Sequence, residues 1–457
     1  MRRSIIFRAL LVIFVLSAAA GAFAAFYLYS LSGRIPAGYY VGKAYVGGLT
    51  PNEAVRVLST FEPEEISDTR LSFFYEDDKK VTKFEFWPSQ IGAQLRVGES
   101  INNIFFGSNK LNLLQKAFYK LDRSPKVVQP LYRIGSPQDA VLLIEQVKYY
   151  VDRPSSEARF TLVEYKDGSS KRSELVIGKS VSGRRLIVES SYASLQKGLA
   201  EGRITFPLSV ESIAPAVTTQ MLEVIPSPKI IGSYSTYFGK YDSPERVHNI
   251  RLSASFIDNS YIGTDESFSL IREMGEFTQE RGYKDAYVII GDELVPELGG
   301  GACQVATTLY NSVMLADLDV LSRGNHGIFF SIYPLGRDAV IYPPYSDLRF
   351  KNNTGSPIVI QSVPLKKGHN IRIIGRASDK KVTFSAPKVQ YKYTTITSKD
   401  ADTGRTYRTE AKSNSFRTEV TRTVKQNGKV LKKETIKSFY KMHGDRVEVK
   451  KREKKAM

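Results

Sequence analysis

The 457-residue chain holds one cysteine, Cys303, four histidines and one tryptophan. A single cysteine excludes an intrachain disulfide and a zinc site built from several thiolates. Histidine is too sparse to suggest a metal: His326 has no second His at ligand spacing, and His248 belongs to a different predicted element. No G-x-G-x-x-G or P-loop pattern occurs, and the stretch GDELVPELGGG at 291–301 carries no phosphate-binding signature, so no cofactor is expected. No basic run interleaved with aromatics reads as a nucleic-acid module. Only one long apolar run is present, which excludes a multi-span membrane protein. The remainder has ordinary globular composition, 42% hydrophobic and 25% charged. Acidic residues are the minority charge: 65 Lys and Arg stand against 47 Asp and Glu, a net charge of +18. Such a surface seeks an anionic partner.

Arg2, Arg3 and Arg8 precede the apolar run, residues 9–31. Its length of roughly 23 residues suffices to cross a bilayer as a helix. The basic flank is expected to stay cytoplasmic, leaving the bulk of the chain outside. The alternative is a cleaved signal peptide, for which Ala22-Phe23-Ala24 supplies a small-x-small site. Against cleavage, the apolar stretch runs on through Phe26, Tyr27 and Leu28. The expectation is a single-pass membrane protein with an extracytoplasmic bulk, whose anionic partner is a cell-wall polymer rather than nucleic acid.

Two similar stretches follow a short Gly/Pro linker. In the first, Thr50 caps a helix beginning at Pro51, strands are expected over 70–75 and 81–87, and a second helix starts near Glu99. In the second, Ser136-Pro137 opens a helix, strands follow at 158–165 and 174–177, and a helix lies near 190–199. Pro215, Pro226 and Pro228 mark a boundary. Beyond the next block, residues 370–388 alternate as strands. From residue 401 the tail carries 17 Lys and Arg against 7 Asp and Glu. Its runs 416–424 and 430–439 are joined by Asn427-Gly428, a strong hairpin signal, and a Lys-rich stub (450–455) ends it. The expected fold class is multi-domain α+β: a transmembrane helix, two related α+β repeats, an α+β domain and a small C-terminal all-β module.

The segment that can carry chemistry is Leu298-Gly299-Gly300-Gly301-Ala302-Cys303-Gln304. The glycines permit a tight turn, and from Cys303 onward Val305, Leu309 and Val313 recur at helical spacing. Cys303 therefore sits at a helix N-terminus, where the partial positive charge favours thiolate. Open amides at Gly301 and Ala302 are placed for a developing oxyanion, and the Gln304 side chain adds a donor. A cysteine nucleophile needs a base and the base an orienting group. His326 and Asp338 follow at distances that let a helix, a turn and a strand bring the three together. The competing reading is a core thiol, a surface histidine and a plain glycine turn. Tyr333, Tyr342 and Tyr345 either line a groove or pack as ordinary aromatics.

Several ordered motifs carry a resemblance: STYF at 235–238, NIRLSAS at 249–255, ESFSL at 266–270, ELVPELGGGACQVATTLYN at 293–311, NHG at 325–327, PLGRDA at 334–339 and DLRFKNNTGSPI at 347–358. Over about 130 residues this stretch resembles the VanW domain of bacterial envelope proteins. The upstream copies, most clearly AYVGGLTPNEA at 44–54, resemble the peptidoglycan-binding repeat that often precedes VanW, as in YoaR-like proteins. The tail is similar to the G5 module. The implied layout is an anchor at 1–31, repeats at 40–125 and 126–220, a VanW domain at 230–388 and a G5-like module with its basic tail at 389–457.

The resemblance implies work on the cell wall, and some members look like cysteine L,D-transpeptidases acting on peptidoglycan stem peptides. Carried over by position, Cys303 is the nucleophile, His326 the base and Asp338 the orienting acid, with Asp347 the runner-up for that last role and otherwise part of the substrate-binding set. One departure is Gly327, where the family commonly has Ser. The alternatives are a cysteine wall peptidase, in which water resolves the acyl-enzyme, and a non-catalytic wall-binding scaffold.

Overall fold

A computed structural model describes residues 2–30, 33–77, 80–109, 124–167, 170–290, 293–399, 406–441 and 449–451. The chain is mixed α+β with many small sheets, and it divides into two compact units. One comprises Met1–Ser156 with Ser182–Ala214, the other Glu157–Val181 with Pro215–Met457.

The first unit contains the helix Arg2–Ser30, whose window Leu10–Tyr27 is long and apolar enough to cross a membrane. Its described side chains are exposed throughout, as an anchor or signal sequence requires. The helix Pro51–Leu58 starts where its sequence predicts. The Thr50 Oγ1 accepts from the Glu53 amide at 3.3 Å while the Glu53 carboxylate accepts from the Thr50 amide at 2.8 Å, a reciprocal cap that satisfies two otherwise orphaned donors. Ser136 caps Pro137–Val151 in the same way from its side. Helices Val97–Asn109 and Val188–Ala200 are also present. Leu71, Phe73 and Tyr75 alternate inward along the strand Leu71–Asp77, which pairs antiparallel with Lys80–Phe86 and parallel with Thr205–Pro207.

The hairpin Arg159–Asp167/Ser170–Gly178 departs from the repeat layout. Its sequence places it in the second repeat, yet it belongs to the second unit. Ala158 and Phe160 are buried there with Val217, Leu222, Ile225, Val359 and Ile374. The alternation made the strands visible; which apolar surface they cover depends on residues as far along the chain as Val359 and Ile374.

The second unit is organised around an antiparallel sheet in the order Pro228–Tyr237, Gly368–Arg376, Ile358–Leu365, Tyr261–Ile262. The helix Ala302–Leu315 packs into the core formed with this sheet, alongside the helix Pro244–Phe256. Every residue of that helix from Ala302 to Met314 is buried except Cys303. The C-terminal strands shape this unit too. Strand Lys381–Phe384 does not continue the central sheet but pairs with the long strand Thr406–Gln426. That strand also pairs with Lys388–Lys399, with Lys429–Lys441 and with Val449–Lys451. The Asn427-Gly428 turn joins two of them with both residues at positive φ, 51° and 80°, as a two-residue hairpin requires. The module is not a separate body: Phe384 and Ile436 pack against the same core as the Cys303 helix. The stub at 450–455 lies outside the described residues beyond Lys451.

Candidate active site

The glycine turn sets the site. Gly301 is the helix N-cap with φ 115°, a conformation L side chains rarely adopt. A Cβ there would come 2.9 Å from Ile250 Cγ1 and 3.1 Å from the Arg246 carbonyl. At Gly300 a Cβ would meet the Ala286 carbonyl oxygen at 2.5 Å. Asn249 pins the turn, donating to the Gly300 carbonyl at 3.1 Å and the Lys284 carbonyl at 2.7 Å. Backbone strain plus crowding predicts that Gly301→Ala costs about 1–3 kcal/mol in urea unfolding and displaces the first helical turn. Wild-type stability in that variant would mean the turn is not constrained as described.

From this start the helix presents two polar stripes at i, i+4 spacing. Along one, Gln304, Thr308 and Ser312 face the sheet: Gln304 Nε2 donates to Thr236 Oγ1 and the Tyr237 carbonyl, Thr308 Oγ1 lies 2.7 Å from Thr236 Oγ1, and Ser312 donates to the Ile371 carbonyl. Along the other, Cys303, Thr307 and Asn311 face the segment that carries Asp338. Thr307 Oγ1 donates to the Ala339 carbonyl and accepts from the Ala339 amide, and Asn311 donates to the Arg337 carbonyl at 2.8 Å. These clamps hold Asp338 in an irregular segment rather than the expected strand.

The half-buried Cys303 thiol, Sγ 3.5 Å from the Ile341 carbonyl, lies beside the His326 ring, which bears on its ionisation. On the far side, His326 Nδ1 lies 2.6 Å from Asp338 Oδ2, which leaves Nε2 for the sulfur. The His326 amide donates to the same oxygen at 2.8 Å. Asp338 Oδ1 accepts from Arg323 Nη2 at 3.0 Å and from the Tyr440 hydroxyl at 2.5 Å. Tyr333 stacks on the imidazole at 5.2 Å and Phe330 meets it edge-on at 5.1 Å, the two rings also touching each other at 6.0 Å. Arg246, whose charge acts on both Tyr333 and Cys303, pairs with Asp242 at 3.1 Å.

The electrostatics follow from this wiring. Burial pushes the Cys303 thiol up, but the His326 hydrogen bond and charge, the Ile341 contact and the Arg246 guanidinium outweigh it and hold the thiol below its usual range. Burial lowers His326, yet Asp338 and Cys303 overcome it and raise the imidazole to about 9. Burial alone would raise the Asp338 carboxyl; hydrogen bonds from His326 and Tyr440 hold it below the ordinary carboxylate range. Both shifts favour the ion pair, an imidazolium beside a thiolate.

The remaining sequence candidates separate. The Ala302 amide donates to the Gly299 carbonyl and the Gln304 amide to the Gly301 carbonyl. Both Gln304 side-chain N–H groups are engaged inside the fold, so Gln304 is an anchor of the helix and not an oxyanion donor. Among the described residues no acceptor takes the Cys303 amide hydrogen. Gly301 shapes the turn. Asp347 is not the orienting acid: its oxygens accept from Ser269 Oγ at 2.7 Å and the Ile271 amide at 3.0 Å, capping the helix Leu270–Met274. Of the three tyrosines, Tyr333 is buried against His326, while Tyr342 and Tyr345 are exposed and stacked on each other. A Cβ at Gly327 would meet open space. Sequence reasoning missed Thr307 and Asn311, which share the helix face of Cys303 and were readable from i+4 spacing. It also missed Arg323, three residues before His326, and Tyr440, for which no local signal exists.

A cysteine, a histidine and an aspartate thus meet at the start of a buried helix in an α+β domain. Residues 245–374 match the family described as VanW like protein, so the chain carries a VanW family domain. The uncharacterised protein YoaR of Bacillus subtilis is 39% identical over 151 residues, 33% of this chain and 49% of that protein. The vancomycin B-type resistance protein VanW of Enterococcus faecalis is 26% identical over 127 residues, 27% of this chain and 46% of that protein. The chain thus spans about half the length of the curated relatives it matches. No solved structure matches.

Proposed function

We propose that this is a membrane-anchored, extracytoplasmic cysteine acyltransferase of the L,D-transpeptidase type, acting on peptidoglycan stem peptides. The observation that carries the reading is an Asp338-oriented imidazole beside a half-buried thiol in the first turn of a largely buried helix. The Cys303 thiolate attacks the carbonyl of a donor stem, and the Cys303 amide, with the helix N-terminus behind it, faces the developing oxyanion. The C–N bond breaks, the leaving amine takes the proton from His326, and a thioester forms. An amine of a neighbouring stem then attacks, the imidazole accepts its proton, and the thiolate is restored. The exposed Tyr342–Tyr345 pair, beginning one residue beyond the Ile341 carbonyl that touches the sulfur, offers a surface on which substrate rests. The net positive charge favours an anionic wall polymer as the surrounding phase.

Muropeptide analysis tests this. In a strain without redundant enzymes, Cys303→Ala should reduce the 3-3 cross-link fraction to that of cells lacking the protein. An unchanged fraction overturns the transpeptidase reading. Stem shortening without cross-links, by purified protein supplied with an acceptor amine, assigns the thiol to hydrolysis instead.

A further inference from the structure

We infer that the C-terminal strand layer is a working part of the Cys303 site, and that Tyr440 is the positioning residue through which it holds Asp338 and, through Asp338, His326. The inference deepens the acyl-transfer reading and rests on it for the effect on turnover.

Three sets of contacts converge on one strand, Lys429–Lys441. Tyr440, 1% exposed, donates to Asp338 Oδ1 at 2.5 Å and accepts from the Gly336 amide at 3.1 Å. Ser438, two residues earlier and so on the same face, accepts from Arg323 Nη1 at 2.9 Å. The same guanidinium donates to Asp338 Oδ1. The loop of His326 lies along the strand's edge: Asn325 Nδ2 donates to the Phe439 carbonyl, the Lys441 amide to the Gly327 carbonyl and the Phe329 amide to the Lys441 carbonyl. Phe329 also meets the rings of Tyr440 and Phe416. The base and its acid are thus both seated on a strand about 100 residues further along the chain.

The chemistry suits the role. Asp338 Oδ2 serves His326 twice, through the amide and Nδ1, so the carboxylate keeps that geometry only while Oδ1 is held from the other side. A buried carboxylate with donors on both oxygens cannot swing. Burial and the neighbouring carboxylate push the Tyr440 phenol up to about 12, so it remains a donor across the range in which the thiolate forms. Removing the hydroxyl frees Oδ1 on that side, so the carboxylate turns from the imidazole and less of its charge acts on the ring.

The test uses the full chain with Tyr440→Phe and reads the pH dependence of Cys303 alkylation by iodoacetamide, alongside kcat and KM on a stem peptide. The alkaline inflection, set in the wild type by His326 near 9, should move downward by about half a unit or more. The kcat should fall roughly tenfold with KM within twofold, the pattern of a displaced base. Leu431→Ser, at the exposed hairpin end of the same strand, should match the wild type. If Tyr440→Phe melts on purification, Ser438→Ala loosens Arg323 and should move the inflection in the same direction. An unmoved or upward inflection in a folded variant overturns the positioning role. A downward shift with no turnover of stem peptides by either protein upholds the positioning role and overturns the acyl-transfer reading.

Discussion

Replacing His326 with alanine is expected to slow the alkylation of Cys303 at pH 6.5 by up to about 100-fold, the penalty for returning to a thiol with a pKa of about 8.5 or above. The direction follows from the balance at the sulfur. Burial opposes ionisation, and the imidazole supplies the hydrogen bond and charge that overcome it. Without the ring, the two largest influences opposing burial are gone, and only the smaller ones of the Ile341 contact and Arg246 remain. The wild type should show two inflections. The lower one, below the usual thiol range, marks formation of the ion pair; the upper one, near 9, marks loss of the imidazolium proton. Turnover should be bell-shaped between them, falling above about 9 because the leaving amine then finds no acid. The variant should keep one inflection only, and its turnover should fall by about 10²–10⁴-fold. An alkylation profile that His326→Ala leaves unchanged would mean that the ring does not govern the sulfur.

Asp338→Asn should be the most damaging single-atom exchange, affecting both stability and chemistry. Asp338 and Arg323 are nearly fully buried, 4% and 9% exposed at their side chains. The carboxylate accepts from the Arg323 guanidinium, the Tyr440 hydroxyl, the His326 amide and the His326 ring. An amide NH2 in that place faces donors and leaves the guanidinium without a countercharge. Breaking a buried pair from one side costs about 3–5 kcal/mol, readable in urea unfolding. Where the variant remains folded, the imidazole loses its orienting anion and burial pulls its pKa down, so the alkaline limb should retreat from about 9 towards or below the ordinary value of about 6.5. Asp347→Asn serves as the contrast, since it sits at the cap of Leu270–Met274 and should leave the alkylation profile in place. Equal profiles for the two variants would remove Asp338 from the relay.

Much of the local structure was legible because its signals are local. The Thr50 cap before Pro51, the glycine turn with its helical apolar spacing, and Asn427-Gly428 between alternating runs each act over a few residues. Backbone preference and side-chain periodicity decide them before any packing occurs. Cys303 at a helix start belongs to the same class, as does its likeness to VanW.

Where the elements dock was not legible. Hairpin Arg159–Asp167/Ser170–Gly178 was readable as two strands, but its placement depends on Val217, Val359 and Ile374. The amides next to Cys303 illustrate the same divide. A glycine-rich turn promises open donors, yet Ala302 and Gln304 bond within the turn itself, a result of φ and ψ values that composition does not specify.

The amino-acid sequence by itself determined the apolar helix near the N-terminus, the α+β class, the nucleophile candidate and the glycine-rich bend that precedes it, because those depend on residues within one or two turns of each other. Only the tertiary structure decided which carboxylate meets His326, that Asp347 caps a helix instead, and that Tyr440 lies beneath the acid. Asp338 and Tyr440 are 102 residues apart, and no local preference encodes a contact over that separation; it arises when two layers bury their apolar faces together and leave one hydroxyl with a single carboxylate to answer.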